Sequence, residues 1–254
     1  MKHYKGYLID LDGTMYRGTQ VIEEAVDFIK RLKKAGLKYL FVTNNSTKTK
    51  EQVAQTLCSF GIEASPEDVL TTSMATVGYI QTHLPGKSVY FTGEVGLASA
   101  IKEAELRYDE DHPEVVVIGL DRQINYEKLA KATLAVRSGA TFISTNPDVS
   151  LPTERGLMPG NGAWSAVVET STGVKPIIIG KPSGEIVEQA LQRIELDRKD
   201  VIMVGDNYYT DILAGIHAHV DTLLVYTGVT QERDLLSFEE QPTYTVHSLQ
   251  DWEL

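Results

Sequence analysis

The chain has 254 residues, with 35 acidic against 24 basic side chains and a formal net charge of −11. That acidity argues against non-specific nucleic-acid binding, and a single cysteine, Cys58, excludes an intrachain disulfide. No apolar run reaches membrane-spanning length, and the opening "MKHYKGYLID" lacks the long apolar stretch and cleavage site of a signal peptide, so the expectation is a soluble cytoplasmic protein with no membrane partner.

The first strand is "YLIDLDGTMY", beginning at Tyr7. It runs through apolar residues into Asp10, with Asp12 two positions later and Gly13 and Thr14 next. Strand residues i and i+2 share a face. If the extended backbone persists, the two acids lie side by side, at a cost that a nearby cation turns into a gain. Ile22, Val26, Ile29 and Leu32 then repeat at helical spacing, which predicts a helix over 21–35 with Gly36 as its stop. "LKYLFVTNN" is the second strand and ends in Thr43, Asn44 and Asn45. Thr49 and Gln52 have the spacing of a capping box for the following helix. Within that helical pattern Cys58 reads as a small core residue rather than a nucleophile.

The middle of the chain has strands of its own in "SVYFTG", "EVVVIG" and "TFISTN". A helix over 126–138 sits among them, with Asn125 as N-cap and Gly139 as stop. "GNGAWS" at Gly160 nearly matches a dinucleotide-binding G-x-G-x-x-G, but its last position is Ser165 and the pattern shows no strand just before it. Gly160 and Gly162 would instead let backbone amides approach a ligand at the start of a helix. Further on, "PIIIGKP", "DVIMVGDN" and "DTLLVYTG" read as three more core strands, with Ile186, Ala190, Leu191 and Ile194 marking a helix between them. His217 and His219 stand two apart, a spacing that does not make a zinc pair on a helix.

Continuous apolar strands alternating with helices predict an α/β protein with a parallel sheet covered on both faces. The expected organisation is a discontinuous Rossmann-like core, 1–84 and 177–254, with a small α/β domain, 85–176, inserted and able to hinge as a lid.

Four expected core strands end in polar residues: Asp10 and Asp12, then Thr43 with Asn44 and Asn45, then Lys181, then Asp206 with Asp211 five residues on. Taken singly, these are ordinary turn, cap or loop residues. In a parallel sheet, however, the carboxyl ends share one edge, where ligands bind. An all-oxygen set of acids favours Mg²⁺ over zinc. Asp10 can attack phosphorus, Asp12 can protonate the leaving oxygen and then activate water, Thr43 can donate to phosphoryl oxygens, and Lys181 adds positive charge. Two other classes use similar groups: a phospho-accepting signalling module, and a protein that binds phosphate esters without turnover. Asp12, suited to turnover, and the length of the chain favour the enzyme.

As a set, "DLDGT" at 10–14, "VTNN" at 42–45, "GKP" at 180–182 and "GDNYYTD" at 205–211 resemble the four motifs of the haloacid dehalogenase superfamily. The resemblance implies Asp10 as nucleophile and metal ligand, and Asp12 as general acid/base that also binds metal through its carbonyl. It further implies Thr43, with Asn44 beside it, and Lys181 as the phosphate-binding group, Asp206 as the third protein ligand of Mg²⁺, and Asp211 as support for the metal site. An insert between Asn45 and Lys181 is the position of a type C2 cap. "STNPD" at 144–148 and "PTERGLMPGNG" at 152–162 further resemble the NagD-type branch, whose members are phosphatases of small phosphorylated metabolites such as nucleoside monophosphates and sugar-acid phosphates. By the same resemblance Asn146, Asp148, Gly160, Asn161 and Gly162 are the cap residues that would set specificity. Caps of this branch often form dimer contacts, which leaves a homodimer open. Dehalogenation itself has no use for Asp12, and a P-type ATPase would need membrane helices.

Overall fold

The computed structural model describes residues 2–254. In chain order it runs through β1 (Gly6–Ile9), β2 (Tyr16–Arg17), β3 (Gln20–Val21), α1 (Glu23–Lys34), β4 (Lys38–Thr43), α2 (Lys50–Ser59), β5 (Val69–Thr71) and α3 (Thr72–His83). It continues with β6 (Val89–Thr92), α4 (Val95–Glu103), β7 (Val115–Ile118), α5 (Tyr126–Arg137), β8 (Thr141–Ser144), β9 (Ser150–Thr153), β10 (Gly156–Pro159) and α6 (Asn161–Thr172). The last part holds β11 (Ile177–Ile178), α7 (Glu185–Ile194), β12 (Val201–Gly205), α8 (Leu213–His217), β13 (Asp221–Val225) and β14 (Tyr244–Val246). No helix among the described residues is long and apolar enough to cross a membrane.

The chain divides into two compact units, one of 1–43, 50–70 and 181–254, the other of 44–49 and 71–180. The first is built on a six-stranded sheet in the order β14-β13-β12-β1-β4-β5, with parallel pairing from β14 through β4. Its central strands are buried on both faces, as uninterrupted apolar runs require. Tyr7 and Ile9 face the apolar side of α1 (Ala25, Phe28, Ile29, Leu32) and α2 (Val53, Leu57). α7 buries Ile186, Val187, Ala190, Leu191 and Ile194 and packs on β1 and β4. Helix α1 has acids Glu23 and Glu24 in its first turn and Arg31, Lys33 and Lys34 in its last, which suits the helix dipole. Gly36 follows at φ +68°, a left-handed stop that glycine adopts without steric cost.

The second unit has its own parallel four-stranded sheet, β11-β8-β7-β6. α5 and α6 cover one face through Ala132, Val136 and Val168 against Tyr90, Val116, Ile118 and Phe142. Asn125 caps α5, its side chain accepting from Lys128 N at 3.0 Å.

Three expectations need correction. Strand β11 pairs with β8, not with the core sheet, so "PIIIG" belongs to the inserted unit and Lys181 does not end a core strand. The unit also begins earlier than position 85, because α3 packs on α4, and it includes 44–49, where Thr47 O accepts from Gly96 N. The chain therefore passes between the units four times rather than twice. Finally, Cys58 is exposed: it lies on the solvent side of α2, while Val53, Ala54 and Leu57 form the buried side.

Candidate active site

Five of the seven core-motif residues singled out from the sequence converge at the carboxyl edge of the six-stranded sheet, Asp12 and Asn44 being the exceptions. Asp10 follows β1, Thr43 ends β4 and Asp206 follows β12. Asp211 lies on a five-residue π-helical turn, Tyr208–Ile212, held by Asn207, whose side chain accepts from Tyr209 N. Single π turns are concentrated at functional sites because they re-aim one side chain. Here the turn brings Asp211 back over the strand end, where its Oδ2 accepts from Asn207 N at 3.0 Å.

Carboxylate oxygens of Asp10, Asp206 and Asp211 lie within 4.8 Å of one another. All three residues are buried, and so is Lys181, at 2% exposed. The Lys181 ammonium donates to Asp10 Oδ1 and to Val42 O at 3.1 Å, and it lies 2.7 Å from Asp211 Oδ1. Three buried carboxyl groups thus face one buried ammonium. Burial and the charges of Asp211 and Asp206 hold the Asp10 carboxyl well above the usual carboxylate range, against the lowering effect of Lys181. Burial and Asp211 push Asp206 up to about 6. For Lys181, burial alone would lower the pKa, but Asp10 and Asp211 raise it above its ordinary value. The lysine is therefore a fixed cation, and the crowding of acids around it makes Asp10 and Asp206 hold protons more tightly than isolated carboxyls do.

Asp12 stands apart. The extended run stops after Asp10, because Thr14, Met15 and Tyr16 all turn their N–H groups back to Leu11 O. Asp12 is exposed while Asp10 is buried, so the two acids are not presented alike as a continuing strand would require. The Asp12 carboxylate accepts from Gly18 N at 3.4 Å.

The sequence reading missed the residues that hold Asp206. Its Oδ1 accepts from Thr14 Oγ1 at 3.3 Å, its Oδ2 from Val229 N at 2.7 Å, and its backbone carbonyl from Thr230 N at 3.1 Å. A Cβ on Gly13, at φ +94°, would come within 2.4 Å of this carboxylate, and one on Gly228 within 1.9 Å. Both glycines are required by close approach. The signal was available in "TGVT" after β13, a glycine and a hydroxyl directly following a core strand.

The residues expected to set specificity form a knot inside the second unit. Asn44 Nδ2 reaches both oxygens of Asp148 at 3.3 Å, and Asn146 Nδ2 donates to Asn44 O at 2.8 Å. Asn161, 1% exposed, donates to Ser144 Oγ at 3.0 Å and Asn146 O at 2.8 Å. The backbone amides of Gly160 and Gly162 are already spent on Val149 O and Asp148 O. A Cβ at either glycine would strike the carbonyls of Asp148 or Pro147 at 2.1 and 2.3 Å. These glycines close a loop instead of cradling a ligand. β10 runs directly into Gly160, contrary to expectation, but it belongs to an antiparallel hairpin with β9. It is therefore not the parallel strand that a dinucleotide fingerprint needs.

Comparison with known proteins gives this geometry a family. The chain belongs to the haloacid dehalogenase-like hydrolases: the description "Haloacid dehalogenase-like hydrolase" matches residues 7–107 and "HAD-hydrolase-like" matches residues 178–252. It is 54% identical over 252 residues, 99% of this chain and 98% of the relative, to the 5'-nucleotidase YutF of Bacillus subtilis strain 168. It is likewise 54% identical to the acid sugar phosphatase of Staphylococcus aureus strain USA300, covering 99% of this chain and 97% of that one. Among solved structures, a double mutant of the thermostable NPPase from Geobacillus stearothermophilus superposes with a TM-score of 0.94 at 54% identity, over 100% of this chain and 99% of that one. The p-nitrophenyl phosphatase of Archaeoglobus fulgidus does so at 0.92 and 38% identity, over 98% of each. These proteins share one enzyme class, phosphoric monoester hydrolase, and this chain falls in it, on the NagD-like branch. That membership favours the enzyme over the signalling and binding-only readings.

Proposed function

We propose that this enzyme hydrolyses small phosphate monoesters through an aspartyl-phosphate on Asp10, with Mg²⁺ as cofactor. The observation that carries the proposal is the excess of buried carboxylate around a lysine-paired Asp10. Asp10, Asp206 and Asp211 offer only oxygen donors, within 4.8 Å of one another, a set suited to a hard divalent cation. Asp10, Asp206 and the Asp12 carbonyl would hold the ion, with Asp211 supporting the site. When bound, the ion neutralises charge on the carboxylates and on the phosphoryl oxygens.

An Asp10 Oδ attacks phosphorus while the bond to the leaving oxygen breaks and Asp12 gives that oxygen its proton. Water then attacks the aspartyl-phosphate, Asp12 takes up the water proton, and the P–O bond to Asp10 breaks to release inorganic phosphate. The exposure of Asp12 suits this exchange of protons with a departing group and with water. The fixed charge of Lys181 and the Thr43 hydroxyl hold the phosphoryl oxygens. The side-chain amide of Asn44 is turned to Asp148, so its contribution to phosphate falls to its backbone. The second unit serves as the cap. The substrates named for the relatives, acid sugar phosphates and nucleotides, indicate the class to screen first. The test is phosphate release from a panel of monoesters with Mg²⁺ and with EDTA, together with trapping of phosphoryl-enzyme by acid quench. Full activity in EDTA, or turnover with no acid-stable phosphoryl-enzyme under burst conditions, would overturn the mechanism.

A further inference from the structure

We propose that Arg17 selects phosphate monoesters whose leaving group carries a second anion, a carboxylate or another phosphate. The inference rests on the reading of Asp12 as the acid that protonates the leaving oxygen.

Asp12 is bracketed by the hairpin β2–β3. It forms a β-bridge with Tyr16, and its carboxylate accepts from Gly18 N. A leaving group protonated by Asp12 therefore passes beside residues 16–18, and Arg17 is the cation in that stretch. The side chain is exposed. Among the described residues its one hydrogen bond runs from Nε to Thr227 O. Among the described residues no carboxylate pairs with it, in a chain with 35 acids.

The Thr227 contact makes the guanidinium more than a loose surface charge. Thr227 Oγ1 donates to Gly13 O at 2.7 Å, and Val229, two residues on, holds Asp206. Arg17 is thus tied at Nε to the loop that builds the acidic site, while Nη1 and Nη2 remain as a planar fork. Such a fork matches a carboxylate or phosphate bidentately, and part of its ordering cost is already met. In surroundings otherwise dominated by acids, an unpaired cation beside the general acid fits an anionic partner supplied by the substrate.

The test uses the full chain with Mg²⁺ and three esters on one carbon skeleton: 3-phosphonooxypropanoate, propane-1,3-diyl bisphosphate and 3-hydroxypropyl phosphate, with p-nitrophenyl phosphate as an activity check. The expected result is a wild-type preference in kcat/KM for at least one anionic ester over the hydroxypropyl ester. In Arg17→Met that ratio falls about tenfold, chiefly through KM, and Arg17→Lys keeps part of it. Whichever anion loses its preference identifies the source. The ratio is the readout because a merely structural role, through Thr227, would lower all substrates together. No preference in wild type, or an unchanged ratio in Arg17→Met whatever the absolute rates, overturns the inference. A wild type that hydrolyses none of the four compounds overturns the phosphatase reading and this inference with it.

Discussion

Among the described residues one polar cluster in each unit stands out, and their chemistry differs. In the second unit Asn44, Ser144, Asn146, Asp148 and Asn161 bond to one another and to local backbone. In the first, Asp10, Asp206 and Asp211 gather around one lysine, and the Asp10 and Asp206 carboxyls are displaced upward by burial and then by the charge of Asp211. A cluster held mainly by its own hydrogen bonds, with Asn161 Oδ1 left unpartnered, holds a loop in place. One that leaves charge uncompensated in a dry environment costs stability unless a ligand completes it, and such mismatches concentrate at catalytic sites. The sharpest tests are therefore those that treat the two clusters alike and expect different outcomes.

The largest effect is expected from Asp10→Asn. The change keeps shape and removes the proposed nucleophile, so phosphate release should fall by at least about 10⁴-fold while circular dichroism and Tm stay near wild type. Near-normal turnover from the folded variant would remove Asp10 from the mechanism.

Next comes metal binding. Asp206→Ala should weaken Mg²⁺ affinity by more than Asp211→Ala does. The first change removes the proposed direct ligand, whereas loss of a supporting residue costs about 10–100-fold. Calorimetric titration of both variants decides it. A larger loss in Asp211→Ala would make Asp211 the ligand, an outcome its place in the 4.8 Å group keeps physically reasonable.

The pH dependence follows from the sign of the Asp206 displacement. Its carboxyl sits at about 6 in the fold, above the ordinary range, so the native state binds this proton more tightly than the unfolded chain. That contribution is fully present below the ordinary carboxylate pKa and is lost as pH rises through about 6. Measured in EDTA, wild type should lose on the order of 3 kcal/mol relative to Asp206→Asn between about pH 4 and pH 7. Added Mg²⁺ should restore most of it at the upper end and little at the lower. Parallel stability curves for the two proteins, with or without metal, would mean that this carboxylate carries no unbalanced charge.

The same contrast explains what was legible in the sequence. Asp10 and Asp206 were readable because each stands at the end of an apolar run, and parallel topology puts such ends on one edge. Lys181 was found for the wrong reason: "IIIG" reads as a core strand, yet β11 pairs with β8. A short apolar run carries no information about which sheet it joins. α3 escaped because it buries Thr72, Ser73 and Thr76 along with Ala75, Val77 and Ile80, which erases the apolar stripe that marks a helix. The support of Asp206 by Thr14, Gly228 and Val229 depends on loops meeting in space, a fact no local pattern contains. Asn146 and Asn161 were assigned to specificity by the resemblance of "STNPD" and "PTERGLMPGNG" to the NagD-type branch, and a motif match carries no information about hydrogen-bond partners. Only the folded chain shows that they are occupied.

The smallest expected effect is in that occupied knot. Asn161 donates twice, to Ser144 and to Asn146, and its side chain is almost wholly buried. Asn161→Ala leaves Asn146 O short of a donor, but the Ser144 hydroxyl already contacts Ser165 at 2.7 Å and Asn146 O at 2.9 Å. The loss should therefore be about 1–2 kcal/mol of stability, read as a lowered denaturant midpoint. If the knot only shapes the loop, kcat/KM should fall by a similar factor for every substrate in a panel that includes acidic, neutral and aromatic esters. A reordering of that panel at full occupancy of the folded state would show that Asn161 discriminates between leaving groups. The contrast between a cluster held mainly by its own hydrogen bonds and one with uncompensated charge would then fail in the unit where it makes its weaker claim.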